Sequence, residues 1–147
     1  MYTRLAILLL SLFLGMGNAY AATAQEVDQR LDFLFGSHQK YQDFLGELQQ
    51  AVAAKDKAKV ATMIAYPLEV GLKGKAKTYR TAAMLKKHYG SVFTPDLSRV
   101  IIAQKYEDLF ARDQGVMVGD SGQLWFSEVC QDKACHNTRV LITRINQ

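Results

Sequence analysis

The stretch that most limits how this chain can fold is Gly115-Val116-Met117-Val118-Gly119-Asp120-Ser121-Gly122-Gln123-Leu124-Trp125-Phe126. Two β-prone runs flank a cluster of Gly, Asp and Ser, which spells strand, tight turn and strand. In the turn, Asp120 can bond back to the chain and Gly122 accepts a positive φ. The glycine spacing, G-x-x-x-G-x-x-G, also invites comparison with a phosphate cradle. Such a cradle needs a helix N-terminus aimed at the phosphates, and here the next element is a strand. A further strand is expected from Thr138 to Ile145, with Leu141 and Ile145 on one face and Val140 and Ile142 on the other. A strand apolar on both sides belongs inside its sheet.

Upstream, the apolar spacing is helical. Val27, Leu31, Leu34 and Phe35 mark a helix over residues 25–35. Tyr41, Phe44, Leu45, Leu48 and Val52 mark a longer one, with Ser37 as its expected N-cap. Asp56 can cap a short helix carrying Val60, Met63 and Ile64, which Pro67 should stop by Tyr66. Leu68, Val70 and Leu72 then alternate as a half-buried strand, and residues 77–80 return as a second, irregular one. Thr81 caps a helix to Tyr89, with Gly90 as its stop. Thr94-Pro95-Asp96 opens another helix that buries Leu97, Val100 and Ile101. Residues 106–112 fit either a turn or a strand. Helices followed by a run of strands predict an α+β fold with an antiparallel sheet. No internal repeat or low-complexity linker interrupts the chain.

The first 21 residues read as an address. Arg4 gives a basic start, Leu5 to Met16 is apolar but for Ser11 and Gly15, and Ala19-Tyr20-Ala21 supplies the small residues of a cleavage site. The apolar run falls short of the about 20 residues a membrane span needs, and no later run is long enough. No Cys stands at the cleavage site, which argues against a lipoprotein. Residues 1–21 are therefore expected to be a signal peptide, and residues 22–147 a single α+β domain in the periplasm or outside the cell.

Cys130 and Cys135 are the only cysteines, and in an exported chain they are expected to form a disulfide. Taking them with His136 as metal ligands lacks a C-x-x-C pair and a second nearby His, so no metal site is expected. The formal charge of the whole chain is +4, from 18 basic and 14 acidic residues. That is too mild for a nucleic-acid footprint.

The Tyr66-Pro67-Leu68 step, the Gly-bounded strand running into Leu124-Trp125-Phe126, and the terminal Ile142-Thr143-Arg144-Ile145-Asn146 resemble small exported bacterial proteins of the nuclear transport factor 2-like, cystatin-like superfamily. The likeness covers most of residues 25–147, on loose motifs. It implies a cone, in which a curved sheet wraps a helix and leaves a pocket at its open end. By that geometry Tyr66, Tyr79, His88, Tyr89 and Trp125 are the pocket candidates. The superfamily serves enzymes, binding modules and dimerisation domains alike, and no catalytic motif carries over.

Other candidate chemistry is sparse. Lys73, Lys75 and Lys77 alternate, with Arg80 nearby, and form a candidate anion-binding edge; the plainer reading is a solvated hairpin whose lysines discourage edge pairing. Acid–base catalysis would fall to Glu69 or His88. There is no G-x-S-x-G, and Ser121 sits in a turn. The expectation is a non-enzymatic exported binding or interaction domain, of inhibitor or immunity type among others. It would hold a small apolar ligand or a protein partner, a second copy of itself included, with no cofactor. The alternative is a small cone-fold isomerase, dehydratase or hydrolase. Trp125 is expected in the core ahead of a pocket floor.

Overall fold

In a computed structural model, residues 22–72 and 74–147 are described. The expected signal peptide and Lys73 lie outside them. Helix α1 spans Ala24–Phe35 and opens with a capping box: Thr23 Oγ1 accepts from the Glu26 amide at 3.3 Å, and Glu26 Oε2 accepts from the Thr23 amide at 2.7 Å. Gly36, at φ 75, ends it. Helix α2, Gln39–Ala53, buries Tyr41, Phe44, Leu45, Leu48, Ala51 and Val52 along one stripe. Its N-cap is His38, not Ser37. Among the described residues, no side chain caps the first turn of α2; the carboxylate of Asp32 in α1 instead accepts from the His38 amide at 2.7 Å and ties the two helices together.

Helix α3, Lys57–Thr62, is capped by Asp56, which accepts from the Lys59 amide at 2.9 Å. It ends earlier than expected, because Ile64 is drawn into strand β1, Ile64–Leu72. The Ile142 amide donates to the Met63 carbonyl at 2.8 Å, so sheet pairing overrides the helical spacing of Met63 and Ile64. Pro67 cannot donate to a ladder, and the pairing of β1 slips between Ile64 and Glu69. Strand β2, Lys75–Tyr79, returns antiparallel to β1.

Thr81 caps α4, Ala82–Lys87, through the Met84 amide at 3.2 Å. A separate turn of helix, α5, follows at Tyr89–Val92, so the expected single helix to Tyr89 is two pieces. Thr94 caps α6, Pro95–Ala103. Residues 106–112 prove to be both things expected of them: a 3-10 turn at Tyr106–Asp108, then strand β3, Phe110–Arg112. Strands β4, Gly115–Val118, β5, Leu124–Cys130, and β6, Thr138–Asn146, complete an open sheet ordered β2-β1-β6-β5-β4-β3.

The class is α+β, but the sheet is mixed, not antiparallel throughout. The β3–β6 meander delivers β6 alongside β1 in the same direction, and these two pair in parallel. Ile64, Leu68, Val70, Val116, Val118, Leu124, Phe126, Ile142 and Ile145 belong to one core cluster with the helices. The Phe126 ring lies 4.9 Å from Phe44 and 6.1 Å from Tyr41, centroid to centroid. Burying one such side chain contributes about 2 kcal/mol.

One extra residue in β6 settles which side chains join that core. Trp125 pairs with Arg144 and Phe126 with Ile142, so Thr143 bulges out of the ladder, its hydroxyl donating to the Trp125 carbonyl at 3.3 Å. The simple alternation expected for β6 is thereby broken. Ile145 swings to the same face as Val140 and Ile142, and Leu141 is left on the other.

Candidate functional site

The helices cover one face of the sheet, and the other face carries a row of side chains that crosses all six strands. Phe110 pairs with Met117, Met117 with Trp125, Trp125 with Arg144, Arg144 with Glu69, and Glu69 with Thr78. Alternation dictates the row: Leu124 and Phe126 point into the core, so Trp125 between them points out. The same phase places Met117 between the inward Val116 and Val118. Trp125 and Met117 are half-buried, and Phe110 is 45% exposed. Trp125 is therefore neither core nor the floor of an enclosed pocket, contrary to the sequence expectation.

Gly122 makes room for this arrangement. A Cβ built there would stand 3.0 Å from Trp125 Nε1 and 3.4 Å from Met117 Sδ, so the indole and thioether settle over the turn. Arg144 Nη2 approaches Glu69 Oε2 to 3.5 Å, with both side chains more than half exposed. Two shallow hollows flank Arg144. One, of about 320 Å³, is bounded by Glu69, Gly71, Ala76 and Asn146 among others. The second, of about 350 Å³, lies against Trp125, Thr143 and Gln114.

The other expected pocket residues do not converge. Tyr66 donates its hydroxyl to the Ala61 carbonyl at 3.0 Å, and burial pushes its pKa up to about 12. Tyr79 is fully buried, with its ring 6.2 Å from that of His88. Tyr89 is buried against Phe93, ring to ring at 5.0 Å. Only Tyr79 and His88 among the five meet, and the space beneath the sheet around Tyr41, Tyr79 and Phe126 is filled by side chains.

The two candidate acid–base residues are separated by the sheet itself. Glu69 shares the outer row with Thr78, whereas the next residue, Tyr79, faces the core and meets His88. A proton relay between Glu69 and His88 would have to pass through the backbone ladder. Lys75 and Lys77 do share a face, opposite Leu72 and Val70, and Lys77 Nζ lies 5.1 Å from the centre of the Tyr79 ring. Arg80 is exposed just beyond the strand. Lys77 thus borders the helix-covered side, whereas Lys75 also lines the hollow beside Glu69 and Arg144.

Cys130 and Cys135 form the expected disulfide at the β5–β6 end. Asp132 organises the loop, accepting from the amides of Asn137 at 2.8 Å and His136 at 3.1 Å. These bonds hold its carboxyl below the usual carboxylate range. Nearby, burial works against ionisation of Glu128, but hydrogen bonds from Lys40 at 2.6 Å and Thr138 at 2.7 Å outweigh it and keep the pKa low. Among the described residues, no helix is long and apolar enough to cross a membrane.

No known family model, curated protein or solved structure matches this chain.

Proposed function

We propose that this is an exported, non-enzymatic protein-interaction domain that seats its partner on the uncovered sheet face. The observation that carries the reading is the row from Phe110 through Met117 and Trp125 to Arg144 and Glu69. Half-buried aromatic and Met side chains beside an Arg are the composition of interface anchors, and an apolar centre rimmed by charge is how such anchors are arranged. A fitting partner presents an apolar side chain to Trp125 and Met117 and an acid to Arg144. An inhibitor or immunity-type role, blocking another exported protein, fits the same surface. The disulfide is compatible with an oxidising compartment, and the Arg4, Leu5–Met16, Ala19-Tyr20-Ala21 pattern supports export. The order of helices and sheet supports kinship with the nuclear transport factor 2-like, cystatin-like superfamily. The enzyme alternative is disfavoured by the placement of Glu69 and His88 on opposite sides of the sheet.

The test is site-specific photo-crosslinking in the native exporting host, from Thr78 on the outer row and from Gln42 on the exposed side of α2. A partner crosslinked from Thr78, absent from Gln42 and lost in Trp125→Glu, supports the reading. A product of twice the chain's mass with that same pattern makes the partner a second copy. Crosslinking from Gln42 alone, or adducts indifferent to Trp125→Glu, refutes it.

A further inference from the structure

An apolar hollow on the helical side shares no residue with the sheet row. It measures about 490 Å³, larger than either hollow beside Arg144, and falls within the range of small-molecule sites. Its walls come from the end of α2, the loop into α3 with the first residue of that helix, α5, and one side of α6 along its length. Val52, Tyr89, Phe93, Pro95 and Ile102 supply the apolar surface. The Tyr89 and Phe93 rings stack at an interplanar angle of 14°, giving one wall a continuous aromatic surface. Ile102 is 47% exposed, an aliphatic side chain that an occupant would cover.

The rim is cationic. Lys55 and Lys57 both line the hollow and are exposed, and neither joins an ion pair among the described residues. Lys57 Nζ lies 5.9 Å from the centre of the Tyr89 ring, so one ammonium already leans over the aromatic wall. The intervening Asp56 caps α3 through the Lys59 amide, and its charge reaches Tyr89 and offsets one of the two lysines. Tyr89 is only 6% exposed and meets the hollow through its ring.

From this juxtaposition we infer that the hollow binds a small amphipathic carboxylate, with an alkyl or aromatic body against Tyr89, Phe93 and Ile102 and its carboxylate held by Lys55 and Lys57. The site is independent of the sheet-face reading. Either can fail without the other.

The probes are octanoate, octanol and octylammonium, titrated into uniformly ¹⁵N-labelled, disulfide-intact protein spanning residues 22–147. Octanoate should shift the amides of Lys57, Tyr89, Phe93 and Ile102 saturably below about 10 mM, octanol more weakly, and octylammonium least. Lys55→Glu with Lys57→Glu, at two exposed positions, should weaken octanoate by about five-fold or more and leave octanol nearly unchanged. Gly90→Leu fills the hollow from a position where an added Cβ meets nothing within 4 Å, and should abolish octanoate and octanol binding together. Trp125→Glu should leave octanoate binding intact. The inference falls if octanoate gives no saturable shift, if octylammonium binds as well, if Gly90→Leu binds normally, or if the shifts centre on Met117 and Trp125.

Discussion

Arg144 faces Trp125 on one side and Glu69 on the other, across an antiparallel and a parallel ladder respectively. That position joins the aromatic half of the outer row to its charged half. It also exists only because Thr143 bulges. Were Thr143 to take a regular place in the ladder, the alternation set by Ile142 would turn Arg144 toward the core and Ile145 out to solvent.

Neighbouring aromatic residues of β5 should therefore differ sharply in their weight. Phe126→Ala leaves a cavity against Phe44 and Tyr41 and should cost about 3–5 kcal/mol. Trp125→Ala, on the outer face, should cost less than about 1.5 kcal/mol. Equilibrium urea unfolding of the two variants checks the contrast, and equal losses would contradict the assignment of faces.

The Asp32–His38 contact should make stability depend on pH. The hydrogen bond to Asp32 raises the His38 pKa above 6.5, and the same bond lowers that of Asp32 below 3.8. A raised histidine pKa stabilises fully below the unfolded value and is lost as pH climbs through the folded one. A lowered carboxylate pKa stabilises above its unfolded value and is lost as pH falls through the folded one. The pair thus acts between the two, in the mildly acidic range. His38 should titrate at lower pH in Asp32→Asn, followed by its ring proton resonances. The melting temperatures of wild type and variant should differ most near pH 5 and draw together above neutrality.

Removing the disulfide, by Cys130→Ser with Cys135→Ser, should cost about 2 kcal/mol by freeing the unfolded chain. Amide exchange should quicken first in residues 131–137, where the Asp132 bonds and the Gln131 amide donating to the Asn137 carbonyl would then hold the loop. Exchange that quickens equally across β4 would show that the bridge supports more than this hairpin end.

Gly115 should tolerate no side chain. Its φ is 132, and an added Cβ would stand 2.6 Å from the Phe126 carbonyl oxygen, a backbone atom that cannot step aside. Gly115→Ala should destabilise by about 2 kcal/mol or more, read by the same urea titration. An unchanged midpoint would mean that β4 and β5 sit further apart.

Much of the fold could be read from local pattern. The α2 stripe, the caps at Asp56, Thr81 and Thr94, the β4–β5 hairpin and the disulfide all depend on residues close together in sequence. What escaped depended on partners far away. Ile64 keeps helical spacing with Val60, and only its pairing with Ile142 shows it to be strand. The parallel β1–β6 contact has no local signature at all. The site was partly visible: the phase of Leu124, Trp125 and Phe126 alone turns the indole away from the core that Trp125 is expected to join. Arg144 was invisible, because its face depends on the Thr143 bulge.

The parallel pairing has a consequence for assembly. β1 and β2 form one hairpin, β3 to β5 form a separate ribbon, and β6 alone bonds to both. Of the described strands it is also the last to leave a ribosome or a translocation channel. Until it arrives, each half carries a bare edge and an uncapped apolar face, the state in which chaperones and proteases find their targets. Completion of β6 is thus the step that turns two sticky fragments into one continuous sheet, and shortening it should be felt as lost yield before it is felt as lost binding.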